Sequence, residues 1–134
     1  MATLKLKKID KPAKGDLEED ITWFCDSLGL SSGRDTESVS NRIMSDILKK
    51  VSEQENISSD RIAEDLDVKK GLVNHHLRNL IDSGIIRREK KQILIRGGSL
   101  KAAVHEIRRE TLNTLEDIEK IAREIDNELG IMSR

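Results

Sequence analysis

Apolar residues recur at helical spacing in five stretches of this chain and gather in two short β-branched runs joined by charged residues, which predicts a mainly helical protein carrying one small β-hairpin. Leu17, Ile21, Phe24 and Leu28 mark a first helix within residues 16–30. Ile43, Met44, Ile47, Leu48 and Val51 mark a second, expected over Thr36 to Glu53 after a loop spanning Gly29 to Asp35. A short helix with Ile62, Ala63 and Leu66 inward follows, then a turn at Asp67-Val68-Lys69 with Val68 placed to plug the corner, then a helix from about Lys70 to Ser83. Ile85-Ile86-Arg87-Arg88 and Gln92-Ile93-Leu94-Ile95 read as two strands with Glu89-Lys90-Lys91 at the tip.

Helix ends are signalled locally. Ser58 can accept from backbone N–H groups in the next turn, Ile57 can staple to Ile62, and Gly84 supplies a stop after Ser83. Ser99 opens a last helix that meets no Gly or Pro until Gly130. Its roughly 30 residues span about 45 Å, longer than a domain of this size can cover.

At 100° per residue, the Lys70–Ser83 helix turns Val73, His76, Leu77 and Leu80 to one side, and Gly71, Asn74, His75, Arg78 and Asp82 to the other. Lys69 and Lys70 stand at its start, where free N–H groups and the small Gly71 permit close approach of a phosphate. Asn and Arg side chains have the fork geometry that reads adenine and guanine edges in a major groove. Asn74, His75 and Arg78 are therefore the candidate base-facing residues, and Arg88, Lys90 and Lys91 on the hairpin are candidate phosphate contacts.

Val68 through Ile86, especially His76-Leu77-Arg78-Asn79-Leu80 and Ser83-Gly84-Ile85-Ile86, resembles the recognition helix and wing of ArsR-like winged helix-turn-helix transcriptional regulators. The resemblance extends over about Val39 to Arg96, and the Arg96-Gly97-Gly98-Ser99 junction into a long helix is similar to archaeal-type members. It implies binding to double-stranded DNA. The layout expected is a basic arm at 1–15, an accessory helix at 16–30, the winged domain at 36–96 and a dimerisation helix at 99–130.

Composition supports this picture only once it is resolved along the chain. The 134 residues suffice for one small domain with appendages, and the net charge is −1. That near-neutral total hides segregation. Residues 16–68 carry five basic against fourteen acidic side chains, whereas residues 69–96 carry eight against two, a net +6 where phosphate would be met. No apolar run is long enough to cross a membrane and no apolar leader core opens the chain, so a cytoplasmic protein is expected.

The remaining candidates change the picture less. The arm at 1–15, with five Lys and one Asp, can follow a DNA backbone, form an edge strand or act as a solubilising tail. Trp23 and Phe24 are adjacent and point about 100° apart, so one of them is expected to meet something beyond its own domain, such as a partner subunit or an effector cavity. Cys25, the single cysteine, is expected to be an inert core residue, and it excludes an intrachain disulfide. His105 with Glu106 and Glu110 reads as a surface ion pair rather than a metal site, His75 and His76 point to different faces, and no metal or cofactor is expected. No nucleotide-binding loop or nucleophile elbow occurs, and aromatic platforms for single strands are lacking. No enzymatic activity is expected.

On the last helix Val104, Ile107, Thr111, Thr114, Ile118, Ile121 and Ile125 follow a heptad rhythm, widened by Leu115, Ala122 and Leu129. With Trp23 and Phe24, this stripe is the expected homodimer surface, setting two recognition helices about one DNA turn, roughly 34 Å, apart. The expected function is that of a sequence-specific regulator of transcription acting on duplex DNA as a homodimer, with a small-molecule effector possible. The rival expectation is a winged-helix docking module within a multi-subunit assembly.

Overall fold

A computed structural model describes residues 5–13, 15–30 and 38–132. The expected loop beyond Leu30 and the expected helix start at Thr36 lie outside the described residues. Among the described residues five α-helices and one antiparallel hairpin follow in the order α1 (Leu17–Ser27), α2 (Val39–Ser52), α3 (Ser59–Leu66), α4 (Lys70–Ser83), β1 (Ile86–Glu89), β2 (Gln92–Ile95) and α5 (Leu100–Leu129). This is a winged helix-turn-helix with an extra helix at each side.

Local chemistry places the ends. The Asp16 carboxylate accepts from the Glu19 N–H, Ser58 Oγ from Arg61 N–H, and Ser99 Oγ from Ala102 N–H, each replacing a bond the first helical turn lacks. Asp67 closes α3 in the left-handed conformation (φ 52°), which Asp tolerates better than a branched residue would. Gly84 closes α4 at φ 88°, a backbone conformation that costs a glycine nothing.

The core runs through all elements. Ile43, Met44 and Ile47 of α2 pack against Ile62 of α3, Val73, Leu77 and Leu80 of α4, and Ile86, Ile93 and Ile95 of the hairpin. Ile21 and Cys25 of α1, Ile57 before α3, and Ala103 and Ile107 of α5 complete it, with Phe24, Val68 and Val104 half-buried against it. The hairpin pairs Ile86 with Ile95 and Glu89 with Gln92, and Ile93 N–H also donates to the Ile57 carbonyl at 2.8 Å. That extra bond ties the α2–α3 connection to the wing.

A buried cation locks α2 to α3. Lys50 is only 3% exposed, and its ammonium reaches Asp46 at 2.5 Å and Asp65 at 2.7 Å. Burial disfavours that charge, but the hydrogen bonds to both carboxylates outweigh it and hold the Lys50 pKa above its ordinary value.

The basic arm is held to the domain over its described part. Lys7 N–H donates to the Ser27 carbonyl at 2.8 Å, and the Trp23 indole N–H to the Ile9 carbonyl at 3.0 Å. Trp23 thus meets the chain's own N-terminal segment, and Phe24 meets the core. Cys25 is fully buried, and burial, with Asp26 beside it, pushes its thiol up to about 12. It is a packing residue.

Only the first turns of α5 belong to the domain. Ile107 is 6% exposed, whereas Leu112, Leu115, Ile118, Ile121, Ile125 and Leu129 are each more than half exposed. The expectation of one continuous partner-facing stripe from Val104 is corrected accordingly: Val104 and Ile107 close the chain's own core, and the free stripe starts at about Thr111.

Candidate nucleic-acid interface

The face of α4 that periodicity turned outward is outward. His75, Arg78 and Asp82 are exposed, Asn74 is half-buried beside the wing, and Val73, His76, Leu77 and Leu80 are buried. His76 meets His75 edge to face, with ring centroids 5.4 Å apart. Gly71 sits in the first turn, and a Cβ added there would meet nothing within 4 Å. No packing within the chain requires a glycine at this position.

The wing sits beside that face through its pleat. Ile86 and Arg88 share one side of β1; Ile86 enters the core, and Arg88, two residues on, passes its edge toward α4. There its guanidinium donates to Asn74 Oδ1 at 3.4 Å. Arg87 lies on the opposite side, paired with Glu89 at 3.2 Å. The tip is a two-residue turn with Lys90 at φ 47° and Lys91 at φ 69°. Two positive φ values match the twist of a tight hairpin but suit Asn-Gly far better than Lys-Lys, so the tip is strained by about 1 kcal/mol or more per residue.

Charge on this surface is less than the sequence total suggests, because three of its eight cations are paired. Lys70 Nζ lies 2.6 Å from Asp60 of α3, and that hydrogen bond holds the Asp60 carboxyl below its usual range, with a smaller contribution from Lys91. Arg87 has Glu89. Arg96 belongs elsewhere altogether: its Nε lies 2.6 Å from Glu106, and both Nη groups engage Glu110 on α5. Its hydrogen bond to Glu110 raises the arginine's pKa and lowers that of the carboxyl. Lys69, Arg78, Arg88, Lys90 and Lys91 form none of the ion pairs among the described residues, and Lys91 acts on Asp60 only from a distance. The Arg88–Asn74 contact brings the cations of the wing beside those of α4, on the side that also carries Gly71, Asn74 and His75.

Sequence reasoning missed Asp60, the Arg96 clamp and exposed Leu112. The first two pair residues ten to fourteen positions apart on different elements, for which no local pattern exists. Leu112 lies one position off the heptad and was hidden by it. The clamp also occupies Glu106 and Glu110, the carboxylates nearest His105, and no cluster of three metal-ligating side chains occurs among the described residues.

At the junction, Gly97 (φ 74°) lies so close to α5 that a Cβ would stand 2.8 Å from the Ala102 Cβ. Arg96 N–H donates to the Ile85 carbonyl at 2.9 Å. Wing base and α5 are thereby joined without slack.

Residues 41–88 match a family described as bacterial regulatory protein, arsR family. The matched segment starts in the first turn of α2 and ends in β1, and so contains α3, α4 and their turn. No curated protein and no solved structure matches the chain. No helix among the described residues is long and apolar enough to cross a membrane.

Proposed function

We propose, from the match of residues 41–88 to the arsR family of regulatory proteins, that the protein is a DNA-binding regulator of transcription and acts as a homodimer on a two-fold symmetric duplex site. α4 enters the major groove, where Asn74, His75 and Arg78 meet base edges. Lys69, Lys70 and the Gly71 backbone approach phosphate at the start of α4, and Arg88, Lys90 and Lys91 hold the adjacent backbone. One observation carries this reading: Arg88 of the wing reaches Asn74 on the exposed side of α4, so that side and the wing lie together and share five cations that stand in no ion pair.

The dimer reading is supported by the exposed stripe on α5. Six large apolar side chains from Leu112 to Leu129 stand in water along about 27 Å of α5. Covering them with a second copy removes that surface from water and sets the two α4 helices one DNA turn, or a small multiple of it, apart.

Selection of bound fragments from a random duplex pool tests the proposal. A palindromic motif with fixed half-site spacing is expected, with log affinity falling by about 5 to 9 per decade of salt if the dimer neutralises roughly 6 to 10 phosphates. Salt-independent binding that survives Arg78→Glu would overturn it. A stoichiometric protein partner together with no DNA retention at low salt would establish the docking-module alternative instead.

A further inference from the structure

Within the winged domain, residues 38–98, a single large apolar side chain is strongly exposed among the described residues: Leu72, in the first turn of α4, with 41% of its surface in water. It follows Gly71 directly and precedes His75 by one turn of the same helix.

The start of α4 is closed without it. Val73 is fully buried and Val68 is half-buried against the core, so the apolar side of this first turn is already supplied. Leu72 holds the helical position at which a Glu or Gln would reach back to the N-cap N–H, and leucine cannot do so. Lys69 gives the helix no side-chain cap and its first turn has no acidic residue. An exposed leucine here therefore serves neither the packing nor the capping of its own helix.

Its place on the helix matters for DNA. At 100° per residue Leu72 lies about 60° from His75 and about 160° from Asn74. Asn74 is the residue beside the wing, in contact with Arg88. With α4 in a major groove, Asn74 meets the groove on the wing side, and Leu72 with His75 meets it toward the opposite wall. The base-pair edges there present hydrogen-bond donors, acceptors and one apolar group, the C5-methyl of thymine, which stands out toward the backbone of its own strand. Leucine set against a donor or acceptor would take it out of water unpaired, at a cost. Set against the methyl, it removes apolar surface of both from water.

We propose that Leu72 reads a 5-methylpyrimidine, thymine in unmodified DNA, by burying its methyl group. This rests on the DNA-binding reading above and adds to Asn74, His75 and Arg78 a base-facing residue that recognises by burial instead of hydrogen bonding. It does not depend on the dimer.

Deoxyuridine in place of thymine removes the methyl and leaves base pairing and the O4 acceptor intact. The duplex motif selected from the random pool, remade with deoxyuridine at one thymine at a time, is titrated with the full-length protein and with Leu72→Ala and Leu72→Gln. At one thymine of the contacted sequence the exchange is expected to weaken wild-type binding about fourfold, the worth of one buried methyl, and to leave binding by either variant unchanged. Thymine and deoxyuridine are compared within one protein, so a change of folding in a variant does not enter the ratio. A motif in which no thymine methyl matters, or a penalty that both variants retain in full, would overturn the inference and leave DNA binding standing. A pool that yields no motif would overturn the sequence-specific reading and this inference together.

Discussion

The Arg88 guanidinium lies 3.4 Å from Asn74 Oδ1, joining the wing to the middle of the exposed face of α4. On the proposed reading Arg88 meets phosphate and Asn74 reads a base, and binding would then exchange this contact for two on DNA. Asn74→Ala is expected to relax base preference at one position of each half-site, at about 1 to 3 kcal/mol for the preferred base. Arg88→Ala is expected to weaken all sequences alike and to reduce the salt slope by about 1 per half-site. Titration of a mutated site series against both variants separates the two effects.

Gly71 separates stability from binding. Its Cβ space is open, so Gly71→Ala meets no clash and removes the entropic cost of a helical glycine, raising stability by up to about 1 kcal/mol in urea unfolding. The same methyl stands where phosphate or a base edge is expected to approach, and DNA affinity should fall. Unchanged affinity would mean that α4 does not approach DNA through its first turn.

The wing tip carries a similar opposition. Replacing Lys90-Lys91 by Asn-Gly keeps both positive φ values but gives them to residues that adopt them at little cost, and the variant is expected to melt higher by a few degrees. It also removes two cations per protomer, so the salt slope should shrink by about 2 per half-site. A variant no more stable than the parent would show that the tip is not strained.

The buried Lys50 predicts a non-additive pair. Lys50→Met leaves Asp46 nearly buried without its cation, at a cost of about 3 kcal/mol, and adding Asp46→Leu should return most of that loss. Additive losses in denaturant unfolding would place the stabilisation elsewhere.

Acid should weaken the fold through two named carboxyls. Hydrogen bonds from Lys50 to Asp65 and from Arg96 to Glu110 hold both below their ordinary values of 3.8 and 4.5. The folded state therefore binds fewer protons than the unfolded chain in this range. The contribution is fully present above those ordinary values and is lost as pH falls through the lower folded ones. Asp65→Asn and Glu110→Gln should each flatten the decline of melting temperature below about pH 4.5. Lys50 acts on the other side: its raised value keeps its contribution intact below 10.5, and that contribution is lost as pH rises from there through the folded value.

Much of the architecture was legible in residue order because it is written in periodicity and punctuation. Val73, Leu77 and Leu80 recur at helical spacing because one side of α4 must leave water, and the same spacing assigns Asn74, His75 and Arg78 to the other side before any neighbour is known. Ser58, Ser99 and Gly84 fix helix ends through bonds or φ values that depend on adjacent residues alone. These features are local, and a sequence displays local physics directly.

What tertiary structure alone decided is which groups remain available. Arg96 counts as a cation of the wing in the sequence and becomes a clamp on α5 once Glu106 and Glu110 come round beside it. Lys70 acquires Asp60, Trp23 acquires Ile9, and the heptad stripe divides at Thr111 because the core ends there. Each outcome depends on distance between elements far apart in the chain, set by how their buried faces pack together, and neither charge nor periodicity along the chain contains that distance.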